Sequence, residues 1–209
     1  MPEILGSYED MEFSDAQKQF AIYARDQYVN QLKGIESIPE KTMAMYDVID
    51  EINKESFKPP KDQPSCKKGC AHCCYIQVAT TEWEVITILE YMKHKGLEFE
   101  ESDIQKLKLQ AAIKDDKEYI ESPHRRCVFL GEDNTCQIYE ARPSACRNYY
   151  VFSDSSECDT FNPNASGRTL VNFNIDTITP ILALMETSKM KPLAKHLIEK
   201  LEKNENNIN

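Results

Sequence analysis

The sequence predicts a mainly α protein, a single helical domain with a small β-hairpin and a loop-rich cysteine cluster. Three observations predict this fold class. Capping-box patterns stand at the start of several stretches whose apolar residues recur at helical spacing. Segments rich in proline or in turn residues separate those stretches. Eight cysteines lie in two groups in the middle of the chain.

The N-terminal part of the chain predicts two helices. Ser14 followed by Gln17 is a capping-box pattern, and apolar residues then recur at helical spacing as far as Leu32. Gly34 is placed to end this first helix. Pro39 suits the first turn of a second helix. The apolar stripe of that second helix consists of Met45, Val48, Ile49 and Ile52.

Two more helices are predicted on either side of Gly96. A rigid, proline-rich connector over residues 57–65 leads into the first cysteine group and cannot continue a helix. After that group, Thr81 with Glu84 predicts a helix that ends near Gly96. Ser102 with Gln105 predicts the start of the next helix.

Residues 127–139 predict the β-hairpin. The flanks are β-prone, and Gly131, Asp133 and Asn134 are typical turn residues between them. Pro143 then predicts a short helix that holds Cys146.

The rest of the chain predicts turns followed by helix. Residues 153–167 are rich in turn residues, and Asp176 or Thr177 can begin a helix. Pro192 predicts a last helix through Leu201, and the end over 204–209 is expected to fray. Residues 1–60 are thus an N-terminal helical segment, 61–160 a cysteine-cluster metal-binding region and 161–209 a C-terminal helical segment. All three are expected to form one compact domain.

Composition narrows the functional classes. The 209 residues include 25 Lys plus Arg and 35 Asp plus Glu, for a net charge of −10. An acidic surface argues against general binding to nucleic acid or anionic lipid, since phosphate contacts need basic residues. We find no targeting signal and no stretch near the roughly 20 apolar residues that a membrane span needs. The expectation is a soluble, cytoplasmic protein.

The cysteines are the candidate metal ligands. In a reducing cytosol clustered thiols are more often ligands than disulfides, and this chain is larger than a typical disulfide scaffold. All eight cysteines are candidates: Cys66, Cys70, Cys73, Cys74, Cys127, Cys136, Cys146 and Cys158. Closely spaced thiolates suit a tetrahedral zinc site or an iron–sulfur cluster, possibly one of four irons and four sulfides. The sequence leaves both open.

The number of metal centres is also open. Each centre can draw ligands from both cysteine groups, or the first group can do most of the binding. Because Cys73 and Cys74 are adjacent, they serve two centres more easily than one zinc ion. Basic residues near the cysteines would offset the negative charge of bound thiolates. These are Lys67, Lys68, Arg125, Arg126, Arg142 and Arg147.

The cysteine pattern resembles a known family, the YkgJ-type cysteine-cluster proteins. The first part of the pattern runs from Cys66 through the Cys73–Cys74 pair. The second part reads Cys127-Val-Phe-Leu130, Cys136-Gln-Ile-Tyr-Glu140 and Arg142-Pro-Ser-Ala-Cys146-Arg147. Three residues separate Cys66 from Cys70, where the family commonly has two. The resemblance covers roughly residues 66–158.

The resemblance implies a protein that chelates zinc or iron. We therefore expect a cysteine-thiolate metal centre with a structural, redox or metal-handling role, with a metal ion as partner and a protein as a further partner or substrate. One branch of the family, the flagellin lysine N-methylases, implies an alternative: an S-adenosylmethionine-dependent lysine N-methyltransferase with an iron–sulfur cluster. A radical S-adenosylmethionine barrel is disfavoured, because strands and helices do not alternate here. No catalytic residue is identified.

Overall fold

A computed structural model of the chain describes residues 14–57, 63–161 and 190–206. The helices within these ranges are α1 (Asp15–Leu32), α2 (Ile38–Ser56), α3 (Glu82–Lys95), α4 (Glu101–Ala111), α5 (Asp116–Glu121), α6 (Ser144–Arg147) and α7 (Leu193–Asn206). The mainly α prediction is confirmed. The helix predicted to begin at Asp176 or Thr177 lies outside the described residues, as do positions 162–167 of the turn-rich segment.

Most of the predicted helix starts are observed. The Ser14 hydroxyl accepts the Gln17 backbone N–H, and the Gln17 side chain accepts the Ser14 N–H, which completes the capping box of α1. Thr81 and Glu84 form the same reciprocal pair at the start of α3. Pro39 lies in the first turn of α2. These starts follow from local hydrogen bonding, which short sequence patterns encode well.

Other details of the helices were predicted wrongly or not at all. Helix α4 begins at Glu101, and its capping box joins Glu100 to Asp103 rather than Ser102 to Gln105. Helix α5 was not predicted. Helix α7 continues to Asn206, beyond the Leu201 expected from the sequence. The carboxylates of Glu100 and Asp103 take the capping role, so the N-cap of α4 lies two residues before the predicted Ser102.

The end of α3 depends on a glycine. Gly96 has φ +65°, in the left-handed region, and its N–H donates to the carbonyl oxygens of Lys93 and Met92. We expect Gly96→Ala to lower the free energy of unfolding by roughly 1–2 kcal/mol, because a Cβ disfavours this conformation. No heavy atom would lie within 4 Å of that Cβ, so the cost comes from the backbone.

The matched control for this prediction is Gly34→Ala, which also meets open space but lacks a positive φ. We expect Gly34→Ala to be neutral or slightly stabilising, since alanine restricts the unfolded chain. Urea denaturation of both variants measures the difference. Equal effects at the two positions would contradict the assignment of Gly96 as a left-handed cap.

A small antiparallel sheet joins β1 (Ala79–Thr80) to β2 (Lys191–Pro192). Ala79 pairs with Pro192 and Thr80 with Lys191. The Leu193 N–H also donates to the Val78 carbonyl oxygen at 2.7 Å. The sheet therefore fixes the start of α7 beside the start of α3. The sequence did not predict this pairing, because its partners are more than 100 residues apart in the chain.

The predicted hairpin region turns back on itself with a single bridge. Leu130 pairs with Cys136 in antiparallel fashion, and the Gln137 N–H donates to the Phe129 carbonyl oxygen at 2.9 Å. Asn134 adopts φ +59°, a conformation that asparagine tolerates better than most residues. The turn thus fixes Cys136 close to the chain segment that carries Cys127.

Two apolar clusters flank the cysteine region. One joins α3, α4 and α7 to the bridged turn and contains Val85, Ile88, Met92, Leu107, Phe129, Ile138, Ala194 and Leu197. The other joins α1 and α2 and contains Leu32, Met45, Tyr46 and Ile49. Packing of α2 against α3 connects the clusters. Among the described residues, none of the helices has the length and apolar character needed to cross a membrane.

Candidate metal centre

The eight cysteines are all free thiols in the structure, and no pair forms a disulfide bond. Cys66 is exposed, Cys158 is buried and the other six lie between these extremes. Free thiols retain their capacity to bind metal, because the deprotonated sulfur is the ligand. The sulfur donors that the sequence nominated are therefore chemically available.

The first cysteine group lies on a tightly turned loop. The Cys70 N–H donates to the Lys67 carbonyl oxygen at 2.9 Å, and Gly69 between them has φ +86°. A 3-10 helix then runs from His72 to Tyr75 and carries Cys73 and Cys74. Gly69 therefore forms a tight bend in the loop, in a conformation that favours glycine. We call residues 66–75 the central loop.

A backbone hydrogen bond joins Cys127 to the central loop. The Cys127 N–H donates to the Cys74 carbonyl oxygen at 2.8 Å. The residues just before Cys127 are held by Gln110, whose side-chain NH₂ donates to the carbonyl oxygen of Arg126 at 3.1 Å. The Tyr119 hydroxyl donates to the Arg125 carbonyl oxygen at 2.9 Å. Neither side chain was predicted to hold this segment. Gln110 follows Leu107 at helical spacing, so its place on the apolar side of the helix was a usable signal, and the structure shows it buried.

The short helix that carries Cys146 is fixed by a buried carboxylate. Glu84 is fully buried, and its Oε1 accepts the Ser144 N–H at 2.7 Å and the Tyr46 hydroxyl at 3.3 Å. Its Oε2 accepts the Thr81 N–H at 2.7 Å. The sequence identified Glu84 only as a capping residue. Its second contact, 60 residues along the chain, depends on tertiary packing and was not predicted.

The segment that carries Cys158 also packs against the central loop. The Ser65 N–H donates to the Val151 carbonyl oxygen at 2.7 Å, which aligns the two segments. The 3-10 helix Ser155–Cys158 packs against the 3-10 helix of the central loop. Beyond it, Asp159 Oδ1 lies 3.9 Å from His72 Nδ1. The helix that ends at Cys158 thereby packs on the part of the loop that contains Cys73 and Cys74.

The thiols influence one another in two sets. Burial, followed by Cys73, Cys127 and Cys136, raises the pKa of the Cys146 thiol well above its ordinary value. Burial, followed by Cys66, Cys70 and Cys73, raises the pKa of the Cys158 thiol to about 11. Burial, with a smaller contribution from Cys136, raises the pKa of the Cys127 thiol to about 11. Both sets include Cys73.

The adjacent thiols Cys73 and Cys74 form a hydrogen-bonded pair. The Cys74 thiol donates to the Cys73 sulfur, which lowers the pKa of Cys73 to about 7. The same bond, together with burial, raises the pKa of Cys74. Cys73 therefore is the thiol in this pair that most readily provides a thiolate.

One of the predicted neighbouring cations acts on these thiols. The Arg142 guanidinium lowers the pKa of Cys73, opposing the effect of burial there, and it acts in the same direction on Cys136 and Cys146. Its guanidinium carbon lies 3.8 Å from the centre of the Tyr139 ring. The other predicted arginines contact different groups: Arg147 pairs with Asp50, Arg126 with Glu132, and Arg125 lies over the Phe161 ring.

The donor set fits zinc or an iron–sulfur cluster by its chemistry, because both prefer thiolate ligands. Across residues 14–57, 63–161 and 190–206, no three His, Cys, Asp or Glu side chains are arranged to hold an ion as they stand. Metal binding by these cysteines would therefore require the thiols to lose protons and their sulfurs to come closer together.

The comparison with protein families identifies the central part of the chain. Residues 65–164 match the CxxCxxCC family, described as a putative zinc- or iron-chelating domain. This match confirms the resemblance to the cysteine-cluster family and covers slightly under half of the chain. All eight cysteines lie within the matched segment. No curated protein and no solved structure matches the chain.

The raised thiol pKa values predict how the metal-free protein responds to pH. A thiol whose pKa is higher in the folded chain than its ordinary 9.0 holds its proton more tightly there, so it stabilises the fold at low pH. That contribution is lost as the pH rises from about 9 to about 11, the values for the unfolded chain and for Cys127 and Cys158. We expect the melting temperature of chelator-treated, reduced protein to fall over this range.

The control for the pH prediction is Cys127→Ser, which removes one of the titrating thiols. Its melting temperature should fall less steeply between the same two pH values than that of the wild-type chain. Identical slopes for the two proteins would show that the Cys127 thiol is not protonated more tightly in the folded state.

Proposed function

We propose that this protein binds metal through cysteine thiolates, as a zinc site or an iron–sulfur cluster, and that the centre organises the middle of the chain. One observation carries the proposal. Three chain segments bring Cys127, Cys136, Cys146 and Cys158 to the four cysteines of the central loop, and the thiols are close enough to alter each other's pKa values. The description of the matched family as a chelator of zinc or iron supports the same conclusion.

A bound metal ion would offset the cost of ionising several neighbouring thiols at this site. Several partly buried thiols are held protonated in the metal-free chain, and their combined ionisation without a cation would be costly. A bound divalent ion or an iron–sulfur core supplies the compensating charge. Arg142 adds one fixed positive charge beside Cys73, Cys136 and Cys146. We propose that Arg142 partly neutralises the loaded centre.

The eight free cysteines also support a proposal about the cellular compartment of the protein. Unpaired, closely spaced thiols survive best in a reducing compartment. We therefore propose that the protein acts in the cytoplasm, with a metal ion as its first partner and a protein as its further partner or substrate. The net charge of −10 disfavours nucleic acid in that role.

The metal can be identified directly. The protein is purified without oxygen, its visible spectrum is recorded, and zinc, iron and acid-labile sulfide are quantified per chain. A brown protein with about four irons and matching sulfide per centre supports a cluster. A colourless protein with stoichiometric zinc supports a zinc site. A protein with neither metal, before or after anaerobic reconstitution, would overturn the proposed function.

A methyltransferase role is the second candidate. The flagellin lysine N-methylase branch suggests it, and one structural feature favours it. The Arg142 Nε is buried and has no hydrogen-bond partner in the part of the chain that the structure describes. This N–H group could donate a hydrogen bond to the carboxylate of an amino-acid-like cofactor such as S-adenosylmethionine. Calorimetric titration of metal-loaded protein with S-adenosylmethionine tests it, and an absence of binding heat would count against the enzyme.

A further inference from the structure

A buried arginine near the cysteines has a hydrogen-bond donor without a partner. Arg125 is only 5% exposed. Its Nη1 is buried and has no hydrogen-bond partner within residues 14–57, 63–161 and 190–206. Its Nη2 donates to the Thr160 carbonyl oxygen at 3.5 Å, which is long for a hydrogen bond. The salt bridges of the described residues do not include this guanidinium. Since a buried charge is costly unless it is paired, the Arg125 side chain lacks an anion.

Thr160 supplies a second unpartnered group beside the first. Its Oγ1 is also buried and finds no hydrogen-bond partner in the part of the chain that the structure describes. The contact between its carbonyl oxygen and Arg125 holds the threonine next to the guanidinium, although the two residues are 35 positions apart in the chain. Nearly all buried polar groups of folded proteins are hydrogen-bonded. Two neighbouring exceptions therefore indicate a place where a ligand belongs.

An aromatic ring covers the guanidinium. The Arg125 guanidinium carbon lies 3.7 Å from the centre of the Phe161 ring. That ring makes an edge-on contact with Tyr75, the last residue of the 3-10 helix in the central loop, at 5.0 Å between centroids. Phe161 is nevertheless 60% exposed. Exposed side chains change rotamer within nanoseconds, so a rotation of Phe161 opens a path to the guanidinium without disturbing either apolar cluster.

We propose that Arg125 and Thr160 form a binding site for a small carboxylic acid, with Phe161 as its apolar cover. One carboxylate oxygen accepts the Nη1–H of Arg125, and the other accepts the Thr160 hydroxyl. The apolar chain of the ligand then lies against the Phe161 ring. Neither Arg125 nor Thr160 is a candidate metal ligand, so the site goes beyond the proposed metal binding.

The number of donors and the charge favour a carboxylate over a phosphate. Two donors match the two oxygens of a carboxylate, whereas a phosphate would leave further oxygens unpaired in a buried place. The single positive charge of Arg125 also matches a single negative charge. The neighbouring Arg126 already pairs with Glu132 at 3.3 Å. A charge-assisted hydrogen bond to a carboxylate is among the stronger polar contacts in proteins.

Binding of sodium butyrate to the full-length chain, purified without oxygen and with its metal, tests the site. Saturation-transfer NMR at constant ionic strength detects the bound ligand, and a titration gives its dissociation constant. We expect saturation transfer to the butyrate methyl group and a higher melting temperature of the protein. Butyramide has the same shape without the charge and should give no signal. Competition by inorganic phosphate as strong as competition by acetate would contradict the carboxylate assignment.

Matched variants assign the binding to these side chains. Arg125→Gln should raise the dissociation constant for butyrate by about tenfold or more, because it removes a charged hydrogen bond. Thr160→Val keeps the shape of the side chain and should raise the constant roughly threefold to tenfold. Arg126→Gln removes the adjacent cation, which is paired with Glu132, and should leave the constant unchanged. If Arg125→Gln fails to fold, Thr160→Val and the competition with phosphate decide the assignment.

Two results would overturn the carboxylate site. Absence of butyrate binding would show that the two buried groups take water or stay unpaired. An equal dissociation constant for the wild-type chain, Arg125→Gln and Thr160→Val would place the carboxylate at another cation, such as Arg142. Metal content is measured on the same samples. Metal without butyrate binding contradicts only the carboxylate site, and butyrate binding without metal contradicts only the proposed function.

Discussion

Loss of the metal should destabilise the middle of the chain. We expect Cys146→Ser to release metal and to lower the stability of residues 63–161, because serine matches the size of cysteine but is a poor ligand for zinc or iron. Binding of structural zinc is worth about 10–16 kcal/mol in small domains, as large as the whole stability of an average domain. Amide hydrogen exchange before and after chelation measures the effect.

The control for this prediction is Cys66→Ser. Cys66 is exposed, whereas Cys146 lies on a helix whose first residue, Ser144, is fully enclosed. The Cys66 variant should therefore keep its protected amides in α3, α4 and the bridged turn. Comparable loss of protection in both variants, or none in either, would contradict the structural role of a metal bound through Cys146.

The second large effect is expected at Glu84. In Glu84→Ala the Ser144 N–H and the Thr81 N–H lose their acceptor, as does the Tyr46 hydroxyl. Buried polar groups left without a partner cost about 1–3 kcal/mol each, so the loss of three partners predicts a total of roughly 3–9 kcal/mol. Chemical denaturation of the metal-free protein measures the free energy of unfolding without a contribution from the metal.

Two further variants define the cause of the Glu84 effect. Glu84→Gln keeps one oxygen acceptor and should be less damaging than Glu84→Ala. Glu98→Ala removes a carboxylate from an exposed position between α3 and α4 and should change stability by less than about 0.5 kcal/mol. If Glu84→Ala costs no more than Glu98→Ala, the buried carboxylate does not anchor α6.

The helices could be predicted because their determinants are local. Ser14 with Gln17 and Thr81 with Glu84 encode their capping boxes within four residues, and Gly96 encodes its left-handed cap alone. The sequence could not show that Glu84 also accepts the Ser144 N–H, or that β1 pairs with β2. These contacts join distant segments and depend on the packing of α2, α3 and α7, which no short pattern specifies.

The candidate site was predictable in composition but not in arrangement. The chemistry of the thiol group and the spacing of the cysteines predicted all eight as metal ligands. Their distribution around the central loop follows from long-range contacts: the Cys127–Cys74 hydrogen bond, and the alignment of Ser65 with Val151. Of the six basic residues nominated for proximity in sequence, Arg142 acts on the thiols through its position in space. Lys106 in α4 also lowers the pKa of Cys127, yet it is distant in sequence from every cysteine and was missed.

X-ray absorption at the metal edge of anaerobically purified protein tests the metal–thiolate assignment most directly. We predict a first shell made of sulfur, at about 2.3 Å if the metal is zinc, with no more than a minor contribution from lighter atoms. For iron, a sulfur shell together with short iron–iron distances would identify a cluster. A first shell made mainly of oxygen or nitrogen would contradict the assignment of the cysteines as ligands.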